Sequence, residues 1–158
     1  MSVLADLLHA DDVLLDVDVT TKKRVFQEVG RLLHERHGLE HALVAESLGK
    51  REDLGSTGLG HGVAIPHARL KNVKQPIAAF VRTRLPIPFD APDDKPVSDM
   101  VVLLVPEKAT EFHLQILAAI AEKFSDRVFR EKLRACARAD EVSRLFSQRD
   151  DPEHSPGG

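Results

Sequence analysis

A glycine-rich segment that ends in a proline and a histidine is the part of this sequence best suited to chemistry. Four glycines fall within eight positions, from Gly55 to Gly62, with the adjacent hydroxyl residues Ser56 and Thr57 among them. Glycine lets a backbone turn sharply and approach a ligand closely. Pro66 fixes its own φ and keeps the residue before it extended, so His67 is expected to leave a strand end in a defined direction. The pattern predicts a loop that presents one imidazole beside an anion.

Two better-known glycine motifs do not fit this segment. A Walker A loop needs a lysine directly after its last glycine, and no glycine of the segment has a lysine at that spacing. The dinucleotide-binding pattern Gly-x-Gly-x-x-Gly fails as well, because Val63 and Ile65 stand where its third glycine would be. The histidine, rather than the glycines alone, must therefore explain the loop.

A second histidine, His113, begins the apolar stripe of the clearest predicted helix. Positions 113, 117, 120 and 124 share one helical face, and the last three are Leu117, Ile120 and Phe124. His113 then lies in the first turn, where free N–H groups and the helix dipole favour an anion. A neutral imidazole there can donate one hydrogen bond to a phosphoryl oxygen. The alternative is a core histidine whose nitrogens find backbone partners.

These features resemble the EIIA domains of the bacterial phosphotransferase system, in the fructose, mannitol and nitrogen-regulatory class. The resemblance rests on residues 51–67, on Phe89-Asp90-Ala91-Pro92, on residues 102–107, and on His113-Leu114-Gln115-Ile116-Leu117. The motifs follow the family in order and spacing across residues 3–148. Residues 104–115 look closer to the nitrogen type than to the sugar-transport types.

The resemblance implies a role for each residue of the site. His67 would be the phosphoryl acceptor, Arg51 a clamp on the phosphoryl oxygens, and His113 a second hydrogen-bond donor to them. The hydroxyls and backbone of Ser56, Thr57 and Gly58 would support the phosphate loop. The donor would be a phosphohistidine on an HPr-type carrier protein, and neither a metal nor a cofactor is implied. A nucleophilic imidazole needs one nitrogen held and the other free, and a carbonyl of the glycine-rich region is the expected partner of the held nitrogen.

Arg51, Ser56 and Thr57 also have simpler interpretations, as does the acidic pair next to Arg51. Arg51 ends a predicted helix and can complement the negative end of the helix dipole. Ser56 and Thr57 can be ordinary turn residues. The acidic pair that follows Arg51, Glu52 and Asp53, matches acidic family positions, and both side chains can simply be solvated.

Four further histidines and a second arginine carry weaker signals. Arg69 is expected to belong to a docking surface, and His61 is expected to face solvent. The spacing of His34, His37 and His41 suggests a metal cluster. A glycine interrupts their helix, and no cysteine or carboxylate pattern completes a ligand set, so we expect no zinc site there.

The composition of the chain limits the classes of protein to which it can belong. A chain of 158 residues predicts one domain. The net charge of −3, without a basic block, excludes a nucleic-acid-binding surface. No leader and no long apolar run is evident, which predicts a cytoplasmic protein without membrane insertion. Cys136 is the only cysteine, so no internal disulfide forms. It is expected to pack against the core, with a pKa lowered by Arg134 and Arg138.

Hydrophobic periodicity predicts an α/β sandwich, in which helices flank a mixed sheet. Strands are predicted at Val13–Val17 and at residues 63–65, 77–82 and 100–105, and helices at residues 20–37, 40–50, 110–124, 128–137 and 141–146. The run at 100–105 is typical of a strand covered on both faces. Residues 86–96 contain four prolines and predict a loop. We expect one domain over residues 1–149 and a disordered tail over residues 150–158, which lack apolar residues.

Two functions from the family, and two outside it, follow from these observations. The sequence ends without an EIIB, an HPr or a membrane segment, which favours a regulatory, nitrogen-type EIIA acting on kinases or potassium transport components. The alternative is a sugar-transport EIIA that passes its phosphoryl group to an EIIB during fructose or mannitol uptake. A binding module without chemistry is disfavoured because His67, Arg51 and His113 are all present. A zinc hydrolase is the least favoured.

Overall fold

The protein consists of a six-stranded mixed sheet with helices on both faces. The computed structural model describes residues 4–108 and 110–148. The strands are β1 Val13–Val17, β2 Gly58–Gly60, β3 Val63–Ala64, β4 His67–Leu70, β5 Ile77–Ile87 and β6 Val97–Pro106. The helices are α1 Lys22–His37, α2 His41–Asp53, α3 Glu111–Ser125, α4 Arg127–Ala135 and α5 Ala139–Ser147. The predicted α/β sandwich is confirmed.

Strand β6 is the element on which the sheet is organised. The strand order is β1-β5-β6-β3-β2, and β4 also pairs with β6. β5 runs antiparallel to β6, whereas β3 and β4 are both parallel to it. Ala64 lies opposite Met100 and His67 lies opposite Leu103, so β3 and β4 follow each other along the same partner. Between them Pro66 has no N–H to donate, but its carbonyl accepts the N–H of Leu103 at 2.9 Å.

The core is divided between the two faces of the sheet. One apolar cluster joins the sheet to α1 and α2, and a second joins it to α3, α4 and α5. Every residue of β6 from Asp99 to Val105 is buried. This confirms the prediction that the apolar run 100–105 is covered on both faces.

Helix α1 begins and ends at the predicted signals. The Thr21 side chain accepts the N–H of Arg24 at 3.2 Å, as an N-cap does. Gly38 ends the helix with φ 71°, a left-handed conformation that glycine adopts without strain. Helices α3, α4 and α5 lie within two residues of their predicted bounds at each end.

Three elements differ from the prediction. α2 does not end at Lys50 but continues to Asp53, because Glu52 extends its buried face by one turn. Part of the predicted glycine loop is a hairpin of β2 and β3, and its turn residues His61 and Gly62 have φ of 58° and 79°. β5 extends to Ile87, into the segment predicted to be a loop.

The predicted disordered tail, residues 150–158, lies outside the described residues. Within the described part of the chain, no helix combines the length and the apolar character needed to cross a membrane.

Candidate functional site

His67 is the first residue of β4 and is held in one orientation by its own backbone neighbour. Its Nδ1 lies 2.9 Å from the carbonyl oxygen of Ile65. A carbonyl can only accept a hydrogen bond, so Nδ1 carries the hydrogen and Nε2 of the neutral ring has a free lone pair. The sequence predicted a carbonyl partner without identifying it, and the structure assigns that partner as Ile65. Nε2 is therefore the nitrogen available as a nucleophile.

The surroundings of His67 favour its neutral form. Burial lowers the pKa of His67 below its ordinary value of 6.5, and the positive charges of Arg51 and Arg69 lower it further. The hydrogen bond to Ile65 and the negative charge of Glu52 act in the opposite direction but do not outweigh them. An unprotonated Nε2 is what a phosphoryl acceptor requires.

The lowered pKa predicts a specific pH dependence. We expect the imidazole of His67 to titrate at a lower pH in the folded protein than in the urea-unfolded chain, as followed by the ring resonances in NMR. Because the unfolded chain binds this proton more readily, His67 reduces stability as pH falls from 6.5 to the folded-state pKa. Above pH 6.5 it has no such effect. Equal midpoints in the folded and unfolded protein would contradict this account.

The alternation of β4 determines which helices His67 faces. Ala68 and Leu70 belong to the apolar cluster that packs against α1 and α2. Successive residues of a strand point to opposite faces, so His67 and Arg69 project toward the face that carries α3. Arg69 is exposed there, which is consistent with its predicted place on a docking surface.

His113 lies in the first turn of α3, on the same side of the sheet, and is buried. Its Nδ1 accepts the N–H of Thr110 at 3.0 Å. The neutral ring then carries its hydrogen on Nε2, which is a donor. The two histidines thus have opposite tautomers, with a free acceptor on His67 and a free donor on His113. Among the hydrogen bonds of the described residues, none joins the two rings.

Arg51 combines the two interpretations that the sequence left open. It lies in the last turn of α2, and its Nη1 donates to the carbonyl of Gly55 at 3.0 Å, just beyond the end of the helix. Its charge also acts on His67. The guanidinium has five N–H donors, so the contact with Gly55 leaves others for an anion.

The hydroxyl residues of the glycine-rich segment are engaged in holding its shape. Ser56 donates to the carbonyl of Phe89 at 2.6 Å and accepts the N–H of Gly58 at 3.0 Å. A Cβ at Gly58 would lie 2.9 Å from that of Ala91, so only glycine fits there without displacement. Thr57 is buried and donates through both its N–H and its hydroxyl to Glu52. These contacts fit the turn interpretation, and direct phosphate contact by this group stays a prediction.

Glu52 is the residue that sequence reasoning underestimated. The alternative that its side chain is simply solvated is wrong, because the side chain is only 5% exposed. The missed signal is its spacing from Val44 and Leu48, which places it on the buried face of α2 at intervals of four residues. Asp53, by contrast, is exposed.

The other singled-out histidines lie apart from His67. His61 is exposed, as predicted. His34 contacts the carbonyl of Leu39 through Nδ1, whereas Nε2 of His37 lies 3.1 Å from Asp12. His41 packs edge-on against His34. The residues that the structure describes include no group of three or more potential ligands placed to hold a metal ion.

Cys136 has the predicted packing role but not the predicted acidity. It caps the end of α4 and packs against the core cluster on that face. Burial and the negative charge of Glu141 raise its pKa, so the expectation that neighbouring arginines lower it is wrong. A thiol with a raised pKa is a poor nucleophile at neutral pH.

Exposed apolar side chains flank the segments that carry Arg51 and His113. Leu54 is 84% exposed and directly follows the end of α2, and Phe112 and Leu114 are 49% and 62% exposed on either side of His113. We call these three residues the apolar rim. Large exposed apolar groups beside a polar site are typical of protein docking surfaces.

Known proteins are similar to this chain in sequence and in fold. Residues 6–149 match the family described as phosphoenolpyruvate-dependent sugar phosphotransferase system, EIIA 2. The nitrogen regulatory protein of Pseudomonas aeruginosa is 38% identical over 143 residues, which cover 90% of this chain and 93% of that protein. The crystal structure of nitrogen regulatory protein IIA-Ntr from Neisseria meningitidis superposes with a TM-score of 0.86 and covers 92% of this chain and 99% of that chain. The two sequences are 50% identical.

A more distant structure shares the fold alone. Enzyme IIAMTL of Escherichia coli, determined in complex with phosphorylated enzyme IIBMTL, has a TM-score of 0.75 at 22% identity, over 90% of this chain and 100% of that chain. Since the family match spans nearly the whole sequence and the relatives are nitrogen regulatory proteins, this chain is a homologue of those proteins and belongs to the EIIA 2 family of the phosphotransferase system.

Proposed function

We propose that this protein is a regulatory phosphocarrier that accepts a phosphoryl group on Nε2 of His67 from a phosphohistidine of an HPr-type carrier. The observation that carries the proposal is the fixed orientation of His67, whose Nδ1–H is bound to Ile65 while Nε2 is free. Its lowered pKa supports the same role, because the free nitrogen stays unprotonated at neutral pH.

The transfer is an in-line exchange between two imidazoles. Nε2 of His67 forms a bond to phosphorus as the phosphorus–nitrogen bond of the donor breaks, and the departing imidazole keeps the bonding electron pair. Phosphoryl transfer requires mainly positioning and charge stabilisation from the protein. Arg51 supplies positive charge, and the Nε2–H of His113 supplies a hydrogen bond to a phosphoryl oxygen. No step requires a metal or a cofactor.

The regulatory role follows from what phosphorylation does to the surface. A phosphoryl group adds about two negative charges close to the apolar rim. Partners that bind this face would then distinguish the two states of His67. Kinases and potassium transport components are the proposed targets. The similarity to nitrogen regulatory proteins supports a regulatory role.

The first test measures the intact mass of the purified protein. Incubation with phosphoenolpyruvate, enzyme I and an HPr-type carrier should add one acid-labile phosphoryl group, and omission of the carrier should prevent the addition. NMR of the labelled ring should place phosphorus on Nε2. Failure of several cognate carriers to label the folded protein would overturn the proposal in favour of a binding module.

The sugar-transport alternative has its own observation and its own test. The fructose-specific EIIABC component of Bacillus subtilis is 26% identical over 93% of this chain, although the match spans only 23% of that protein. If transport is the function, the phosphorylated protein will transfer its label to a fructose- or mannitol-type EIIB. A regulatory protein will retain the label under the same conditions.

A further inference from the structure

One buried carboxylate near the site has no part in the mechanism above. The side chain of Glu52 accepts three hydrogen bonds. Oε1 receives the hydroxyl hydrogen of Thr57 at 2.6 Å, and Oε2 receives the N–H of Thr57 at 2.9 Å and the ammonium of Lys22 at 2.9 Å. Both carboxylate oxygens are thus paired, as a buried charge requires. Glu52 therefore ties the end of α2 to the start of α1 and to the glycine-rich segment.

The contacts continue from Glu52 to the phosphoryl acceptor. Thr57, whose N–H and hydroxyl are bound to Glu52, accepts the N–H of Ile65 on its carbonyl at 3.1 Å. Ile65 in turn accepts the Nδ1–H of His67 on its own carbonyl at 2.9 Å. A chain of contacts thus connects the Glu52 carboxylate to the imidazole through the backbones of Thr57 and Ile65, and it fixes the position of the Ile65 carbonyl that holds His67.

The charge of Glu52 also acts on the acceptor. It opposes the effect of Arg51 on His67, which follows from their opposite signs and their adjacent places at the end of α2. Lys22, whose side chain is 20% exposed, partly offsets that negative charge. The charges of Arg51 and Glu52, both at the end of α2, therefore act on His67 in opposite directions, and Glu52 also holds the glycine-rich segment through Thr57.

We propose that Glu52 is a positioning residue for phosphoryl acceptance, acting through Thr57 and Ile65 on the orientation of the His67 imidazole. The inference rests on the proposed function of His67 and adds a residue to it. Glu52 touches no reacting atom. Its effect is on the fraction of time that Nε2 and Arg51 are correctly placed, so its loss should lower kcat and leave the KM for the carrier unchanged.

The test compares Glu52→Gln with Glu46→Gln, a matched control. Glu46 lies on the same helix, but its side chain is 61% exposed and pairs with Lys50, one turn away on that helix, rather than with Thr57. We expect Glu52→Gln to lower kcat by about ten- to hundredfold at an unchanged KM. The pKa of His67, measured by NMR, should fall further because an opposing negative charge is gone. Glu46→Gln should match wild type in both measurements.

A second variant keeps the test decisive if Glu52→Gln does not fold. Thr57→Val removes the hydroxyl that donates to Oε1 while keeping the backbone N–H bond, and should lower kcat in the same direction. The double variant should lose less than the sum of the two single losses, because both break the same chain of contacts. Wild-type kcat and an unmoved His67 pKa in the folded variants would overturn the inference. Absence of labelling in wild type would instead refute the proposed function, and the His67 titration would still test Glu52.

Discussion

Replacing His67 with alanine will reduce phosphoryl labelling to the background level of the reaction without the protein. The variant lacks the imidazole nitrogen for which we propose the acceptor role, and the second site histidine, His113, has its Nδ1 engaged by the N–H of Thr110 and carries its hydrogen on Nε2. Loss of the ring also removes the hydrogen bond to Ile65, which costs about 1 kcal/mol of stability, too little to unfold a domain of this size. Intact mass after incubation with the carrier measures the label, and circular dichroism confirms folding.

The matched control for this change is His61→Ala. His61 lies in the same glycine-rich region, at the turn of the β2–β3 hairpin, and is exposed. Its replacement should leave labelling at the wild-type level. If His67→Ala still acquires one phosphoryl group, the acceptor is a different residue, and peptide mapping under neutral conditions would locate it.

Replacing His113 with phenylalanine will slow phosphoryl acceptance while leaving His67 able to react. Phenylalanine preserves the apolar contacts of the first turn of α3 but removes the Nε2–H donor. Removal of one preorganised donor from a charged transition state typically costs about 10²–10³ in kcat, and we expect a loss of that size. Rapid-quench measurement of labelling at saturating carrier gives kcat directly.

A glutamine at the same position tests the donor role of His113 when its rate and its thermal stability are measured together. Its amide can donate a hydrogen bond to the phosphoryl group, so His113→Gln should recover part of the lost rate. Phenylalanine loses the contact with the N–H of Thr110, whereas the glutamine Oε1 can accept it as a capping-box residue does, so wild-type rates in both variants with thermal stability lost only in the phenylalanine variant would assign His113 to the helix terminus. That result would support the interpretation of His113 as a core histidine.

The sequence was sufficient for the architecture because its local signals agree with its tertiary contacts. Thr21 and Gly38 mark the ends of α1, and the apolar run at 100–105 marks the central strand. The boundaries of α2 and β5 depend instead on long-range contacts. α2 continues past Lys50 because Glu52 meets Lys22 and Thr57, partners that no local pattern reveals.

The candidate site residues could be named from the sequence, whereas their contacts could not. Spacing and family resemblance pointed to His67, Arg51 and His113 without giving any contact. The free nitrogen of each ring is decided by its backbone partner, the carbonyl of Ile65 for His67 and the N–H of Thr110 for His113. The directions in which these backbone groups point cannot be inferred from the sequence. The partners of the hydroxyls of the glycine-rich segment were equally hidden, because they are Phe89, two residues beyond the end of β5, and Glu52 of α2.

β3 and β4 pair with the same strand, β6, and this has a consequence for evolution. Substitutions that change partner recognition can occur without disturbing the backbone that holds His67. β6 pairs with the backbone on both sides of Pro66, so β4, which carries His67, is held against a strand that is buried from Asp99 to Val105. The residues of the apolar rim lie on other elements than β4, on the segment after α2 and in the first turn of α3. Substitutions at Leu54, Phe112 or Leu114 can therefore retune recognition while the reactive nitrogen stays in place. A lineage with this scaffold can acquire new partners without first losing its chemistry.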